Sequence, residues 1–225
     1  IYPPNHPTMK ELQVPEIACF KAEAEAIPAL FKSEHVPYQL IATANWHATY
    51  PYQPEVRFAI AHNNHAIFLH FCVQEDHVRA VVDADGGHIW EDSCCEFFVS
   101  PDEKTGYYNL ETNCIGRALL CHGTGREGRK PAPNNVMQAI QRWTSLGTAP
   151  FSAREGSTAW QLALVIPTTS FFDDNITELS GRTMRANFYK CGDKTLQPHF
   201  LSWSPIHSEK PDFHRPEDFG IINFL

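Results

Sequence analysis

The chain has 225 residues, 43% of them hydrophobic and 20% charged, and carries a net charge of −8. That balance supports a packed core and excludes a disordered chain, and the length suits one all-β domain. The acidic excess excludes a nucleic-acid partner, which needs a clustered basic face, and no run reaches the roughly 18 apolar residues of a membrane span.

Taken in chain order, Ile17–Lys32 holds the one stretch with helical periodicity, within an N-terminal extension (residues 1–40) expected to pack on the main body. From residue 56 onward, short alternating runs take over. Val56–His62 and Ala66–Glu75 flank Asn63-Asn64-His65 and read as a hairpin. The glycine-rich loop 83–88 precedes Cys94–Ser100 and Gly106–Ile115. In the latter, Tyr107, Asn109, Glu111 and Asn113 share one face, and Tyr108, Leu110 and Thr112 the other. Gly116 turns the chain into Arg117–His122. Residues 123–135, rich in glycine, proline and charge, read as a mobile surface loop. Strands are then predicted over Met137–Arg142, Ala159–Ile166, Met184–Lys190, Phe200–Trp203 and Gly220–Phe224, with one helical turn at Thr168–Phe172. Nine or ten strands at roughly ten-residue spacing, with 17 prolines and few short helices, predict an antiparallel β-sandwich of two sheets and a single domain over residues 1–225.

The seven cysteines are an odd count and include no C-x-x-C pair, which argues against the usual structural zinc frameworks. Cys94 and Cys95 are adjacent and, in a strand, face opposite ways. Cys72, Cys114 and Cys121 lie in apolar runs and read as free buried thiols. The first fifteen residues lack a basic-then-apolar leader pattern. The compartment is therefore left open: extracytoplasmic if a signal was removed, cytoplasmic if Met9 is the native start.

The densest chemistry lies in Ile89–Ser100, where Trp90 is followed by Glu91, Asp92 and Glu96. Glu96 sits in an otherwise apolar strand and needs a partner, because an unpaired buried charge costs several kcal/mol. Arg117 is the expected partner, either as an ion pair pinning two strands or as an Arg–Glu fork for vicinal hydroxyls.

The runs Trp90–Glu96, Tyr107–Asn113 and Gly116-Arg117, followed by Arg185–Gly192, Phe200–Pro205 and Pro211–Gly220, resemble family 9 carbohydrate-binding modules and their uncharacterised relatives. The resemblance spans about residues 40–225. It implies a sandwich with a slot in which two tryptophans clamp a sugar ring. Trp90 and Trp203 match the clamp, Glu96 and Arg117 match hydroxyl-binding groups, and Asn187 or Tyr189 stand on a strand that carries further polar contacts. Phe200 departs from the family's polar pattern. The expected partner is then a mono- or oligosaccharide bound by a monomer, with no cofactor required. Calcium is an optional ion, with Asp83, Asp85 and Asp92 as candidate ligands.

Three other functions compete. A glycoside-active enzyme would use Glu91, Asp92 and Glu96 as its carboxylates. A haem-binding sandwich would draw ligands from Met137, Met184 and the histidines. A protein-interaction module would present the aromatic face to another chain.

Overall fold

The computed structural model describes residues 9–225; the first eight residues of the expected N-terminal extension lie outside them. Thirteen strands form two sheets. The larger sheet contains β1 (Glu11–Val14), β5 (Cys94–Ser100), β6 (Tyr107–Asn113), β7 (Ala118–Gly123), β8 (Lys130–Pro131), β11 (Thr183–Cys191), β12 (Phe200–Ser202) and β13 (Gly220–Phe224). Its order is β1-β13-β11-β5-β6-β7-β8, with β12 pairing the end of β11. The smaller contains β2 (Gln39–Leu40), β3 (Glu55–His62), β4 (Ala66–Ala80), β9 (Gln141–Thr144) and β10 (Phe151–Pro167), in the order β2-β3-β4-β10-β9. Pairing is antiparallel throughout except for β1, which runs parallel to β13. The expected two-sheet sandwich is what the chain forms.

Period-2 alternation divides the larger sheet cleanly. Cys95, Phe97 and Val99 on β5, Tyr108 and Leu110 on β6, and Ala186 and Phe188 on β11 face the smaller sheet and share its hydrophobic cluster. Cys94 and Phe98, Tyr107, and Tyr189 and Cys191 point the other way, into a second cluster closed by Trp46, Ile206, Phe213 and Phe219. The outer face of this sheet is therefore roofed by loops, which is why β5 and β6 are buried along their whole length.

Several local predictions need correction. The helix expected over Ile17–Lys32 is confined to a turn at Ala24–Ala26 and α1 (Ile27–Ser33). Pro28 lacks a backbone donor and fits only in a first turn, so it sets the start. Ile27 and Phe31 then pack on Ala59, Ala61, Phe68, Ala163 and Val165 of the smaller sheet. Met137–Arg142 is not one strand: α2 (Asn134–Ala139) precedes β9. Val136, Met137 and Ile140 all reach the core, a helical rather than an alternating spacing. Strands β4 and β10 run to 15 and 17 residues, longer than the alternating runs suggested.

One charged network crosses between the sheets. Lys190, on β11, is fully buried and donates to Glu75 Oε2 (3.0 Å), the Cys191 carbonyl (2.9 Å) and His199 Nε2 (2.6 Å). Trp160 Nε1 donates to the other Glu75 oxygen at 2.7 Å. All three ammonium protons and both carboxylate oxygens are thereby used.

Candidate functional site

The roofed outer face of the larger sheet contains a cavity of about 470 Å³. Its floor is supplied by Glu96 on β5 and Glu111 on β6, which are direct register partners and so project side by side. Its walls are aromatic: Trp90, from a tight turn over Ile89–Glu91, with Tyr50, Phe200 and Phe213. Arg126, Glu127 and Arg129 from the β7–β8 loop, Asp193 after β11, and Asp212 and His214 complete the lining.

Each wall is held from behind. Trp90 stacks on His88 with centroids 4.7 Å apart, and its carbonyl accepts the backbone N–H of Asp193 at 3.1 Å. Lys194 bridges back to Glu91 at 2.9 Å, tying the Trp90 turn to the end of β11. Phe213 stacks on Tyr189 at 4.1 Å with nearly parallel rings, and Phe200 meets Tyr50 edge-on at 4.8 Å. Arg129 is oriented by donating its Nε to the Arg126 carbonyl at 2.8 Å.

Three polar atoms at the floor lack partners. Asn109 Nδ2 donates to Glu111 Oε1 at 2.9 Å, and Arg129 stands 3.9 Å from the same oxygen. Glu111 Oε2, Asn109 Oδ1 and Arg129 Nη1 have no hydrogen-bond partner. Burial raises the pKa of Glu96 well above the usual carboxylate range, and the neighbouring charge of Glu111 adds to it. Burial likewise raises Glu111, opposed by Arg129, and lifts Asp193 to about 6. Three acids thus face one cavity with too little positive charge to ionise them all comfortably. At the rim, burial and the two arginines hold His214 neutral, with a pKa near 3.

Residues 25–224 match the family described as carbohydrate-binding family 9. The chain belongs to that family. Across 97% of this chain and 100% of the other, it superposes on a candidate carbohydrate-binding protein from Bacteroides uniformis ATCC 8492 with a TM-score of 0.94 and 46% identity. It also shares its fold with a family 9 module from Caldicellulosiruptor kristjanssonii solved with glucose (TM-score 0.57, 10% identity, 96% of each chain). A second structure of a module from that organism, with cellotriose, gives a TM-score of 0.59 at 11% identity over 96% of this chain and 93% of that one. No curated protein matches.

Of the six residues that the family resemblance pointed to, two line the cavity: Trp90 and Glu96. Two lie behind it. Tyr189 backs Phe213 and donates its hydroxyl to the Phe213 carbonyl at 3.1 Å, while Asn187 is spent on the backbone of Ser204 at 2.8 and 3.0 Å.

The other two are elsewhere. Trp203 is only 2% exposed and lies between the sheets, edge-on to Phe58 and Phe188. A Cβ on Gly220 would come within 2.5 Å of its ring, so glycine there makes room for the indole. The physical reason is parity: Phe200 faces outward and, three residues on, Trp203 must face inward. The aromatic that this segment offers the cavity is Phe200. Arg117 does not pair with Glu96; it donates to the Thr148 carbonyl at 3.3 Å in a separate groove beside Ile140 and Thr144. The cavity's cations come instead from Arg126 and Arg129, in the loop read from sequence only as mobile. The GREGRK run inside that loop was the available signal.

The three candidate calcium ligands are not brought together. Asp92 accepts from Arg79, Val81 N, Val82 N and Asn113. Asp85 is held by Arg142 at 2.7 Å and by Ala118 N at 2.9 Å, and Asp83 is exposed. Asp92 has its acceptor positions filled by N–H donors and Asp85 is paired with Arg142, so the three do not form a shared calcium site. Met137 and Met184 are packed in the intersheet cluster. The void within that cluster, lined by Phe97, Tyr108, Leu120 and Phe171 among others, holds about 20 Å³, far too little for a haem between the sheets.

Proposed function

We propose that this chain is a non-catalytic carbohydrate-binding domain and that its sugar occupies the cavity over Glu96 and Glu111. The observation that carries the reading is the unpartnered floor beneath aromatic walls. A buried polar atom left without a partner costs about 1–3 kcal/mol, so a cluster of them in an accessible cavity is explained by a ligand that completes it. Sugar hydroxyls both donate and accept: one can donate to Glu111 Oε2 while a neighbour accepts from Arg129. The apolar C–H face of a pyranose stacks on an indole or phenyl face, the role assigned to Trp90 with Phe200 or Tyr50 across from it. The names of the family and of its glucose- and cellotriose-bound members point to the same ligand class.

In this account the clamp is Trp90 with a smaller aromatic, in place of two tryptophans. Glu96, Glu111, Asp193 and Arg129 grip the hydroxyls. A single ring in such a cavity gives affinities on the order of micromolar to millimolar. Titrating tryptophan fluorescence with glucose, xylose, galactose, cellobiose and xylobiose tests the reading. The expected result is a saturable change for at least one sugar that weakens about tenfold in Trp90→Ala. No saturable change with any of the five would count against it. Release of chromophore from aryl glycosides, lost in Glu96→Gln, would instead establish catalysis.

A further inference from the structure

Below the cavity floor, three side chains have the donor set and spacing of a metal site. Cys94 and Glu96 are two apart on β5 and so project from the same face; Cys191 is the direct register partner of Cys94 on β11. Cys191 Sγ lies 3.1 Å and Cys94 Sγ 3.8 Å from Glu96 Oε1, and the three donor atoms all fall within 4.8 Å of one another. Among the described residues this is the one such cluster of three or more histidine, cysteine or carboxylate groups. We propose that Cys94, Cys191 and Glu96 bind a thiophilic divalent cation of the zinc class, with the fourth coordination position facing the cavity.

The geometry is close to what such an ion requires. Zinc–sulfur bonds of about 2.3 Å and zinc–oxygen bonds of about 2.0–2.2 Å place tetrahedral sulfur and oxygen ligands roughly 3.5 Å apart. The two observed sulfur–oxygen separations bracket that value. The cavity side can supply a fourth ligand. Glu96 and Glu111 stand side by side in register, and the unpartnered Glu111 Oε2 is available to hold a water or hydroxyl in the fourth position. Glu96 lines the open cavity and gives the ion its way in. Thiolates select zinc-class ions over calcium or magnesium. In binding, two S–H bonds are replaced by two metal–sulfur bonds and two protons pass to solvent. No local C-x-x-C spacing announces such a site, because strand pairing rather than loop spacing assembles it.

The test is to titrate the full chain, reduced with a phosphine and freed of metal by chelation, with Co²⁺ and then Zn²⁺. The expected result is one equivalent of Co²⁺ with thiolate charge-transfer absorption and the intense visible bands of tetrahedral cobalt, both abolished by one equivalent of Zn²⁺. Cys94→Ser and Cys191→Ser should each lose the charge-transfer band, while Cys19→Ser, at a cysteine remote from the cluster, keeps it. Glu96→Gln leaves both thiols in place and should weaken Co²⁺ by at least about tenfold. Circular dichroism confirms that each variant is folded before it is scored. Absence of the bands in the folded wild type, or their persistence in folded Cys94→Ser/Cys191→Ser, overturns the proposal. The absorbance readout is independent of whether any sugar binds.

Discussion

Strand β11 separates two clusters of buried charge that differ in one respect. Inward, Lys190 joins Glu75, His199 and Trp160 in a network whose donors and acceptors are all used. Outward, one residue along, Cys191 borders a cluster in which Glu111, Arg129 and Asn109 keep unpartnered atoms. Both clusters are dominated by desolvation, but only the first is complete within the protein. A completed network holds the two sheets in register. An incomplete one facing a cavity is poised for something else to complete it.

That contrast is open to direct attack. The largest effects should come from the inner side. Lys190→Met strands Glu75 in the core and should cost about 3–5 kcal/mol in urea denaturation. Trp203→Ala should cost a similar 3–5 kcal/mol through the cavity it leaves. A Trp203→Ala protein of normal stability would return that residue to the ligand site.

Acid should act next. Burial lowers the pKa of His70 to about 4, and holds His199 and His214 down as well. Below the unfolded value near 6.5 the unfolded chain takes up protons that the folded chain refuses. The histidine contribution is therefore full above pH 6.5 and falls as pH drops toward 4, with His70 contributing up to about 3 kcal/mol. His70→Gln should flatten that part of the pH profile in chemical denaturation.

The outer cluster should respond with the opposite sign. Glu111→Gln removes a carboxylate that burial makes hard to ionise, so stability at neutral pH should stay level or rise. Sugar affinity should fall by about 1.5–3 kcal/mol, the usual cost of losing a hydrogen bond to a charged group. Calorimetry and denaturation on one preparation read both. Smallest of all, Trp90→Ala should weaken sugar binding by about tenfold, or 1.4 kcal/mol. Because Trp90 is only partly buried, stability should change less than at the inner positions.

The sandwich is legible because alternation marks nearly every core strand, including the two faces of β6. Trp90 and Glu96, which both line the cavity, stand out in the sequence because they are local to one dense segment. Trp203 was misplaced although its parity with Phe200 could have been counted; identity to a motif outweighed the period-2 rule. Arg129 was missed for a deeper reason. A polar loop carries no periodicity, and nothing in it reveals that it folds over a sheet face formed by residues far away in the chain. Glu111 stood in plain view on the polar face of β6, but only strand register makes it the neighbour of Glu96.

The most direct test of the central claim is isothermal titration of cellobiose and glucose into wild type, Arg129→Ala and Arg117→Ala. The account predicts that binding is lost or greatly weakened in Arg129→Ala and unchanged in Arg117→Ala, because only the first arginine borders the aromatic cavity. Binding that survives Arg129→Ala but disappears with Arg117→Ala would contradict it and move the sugar to the groove beside Thr148.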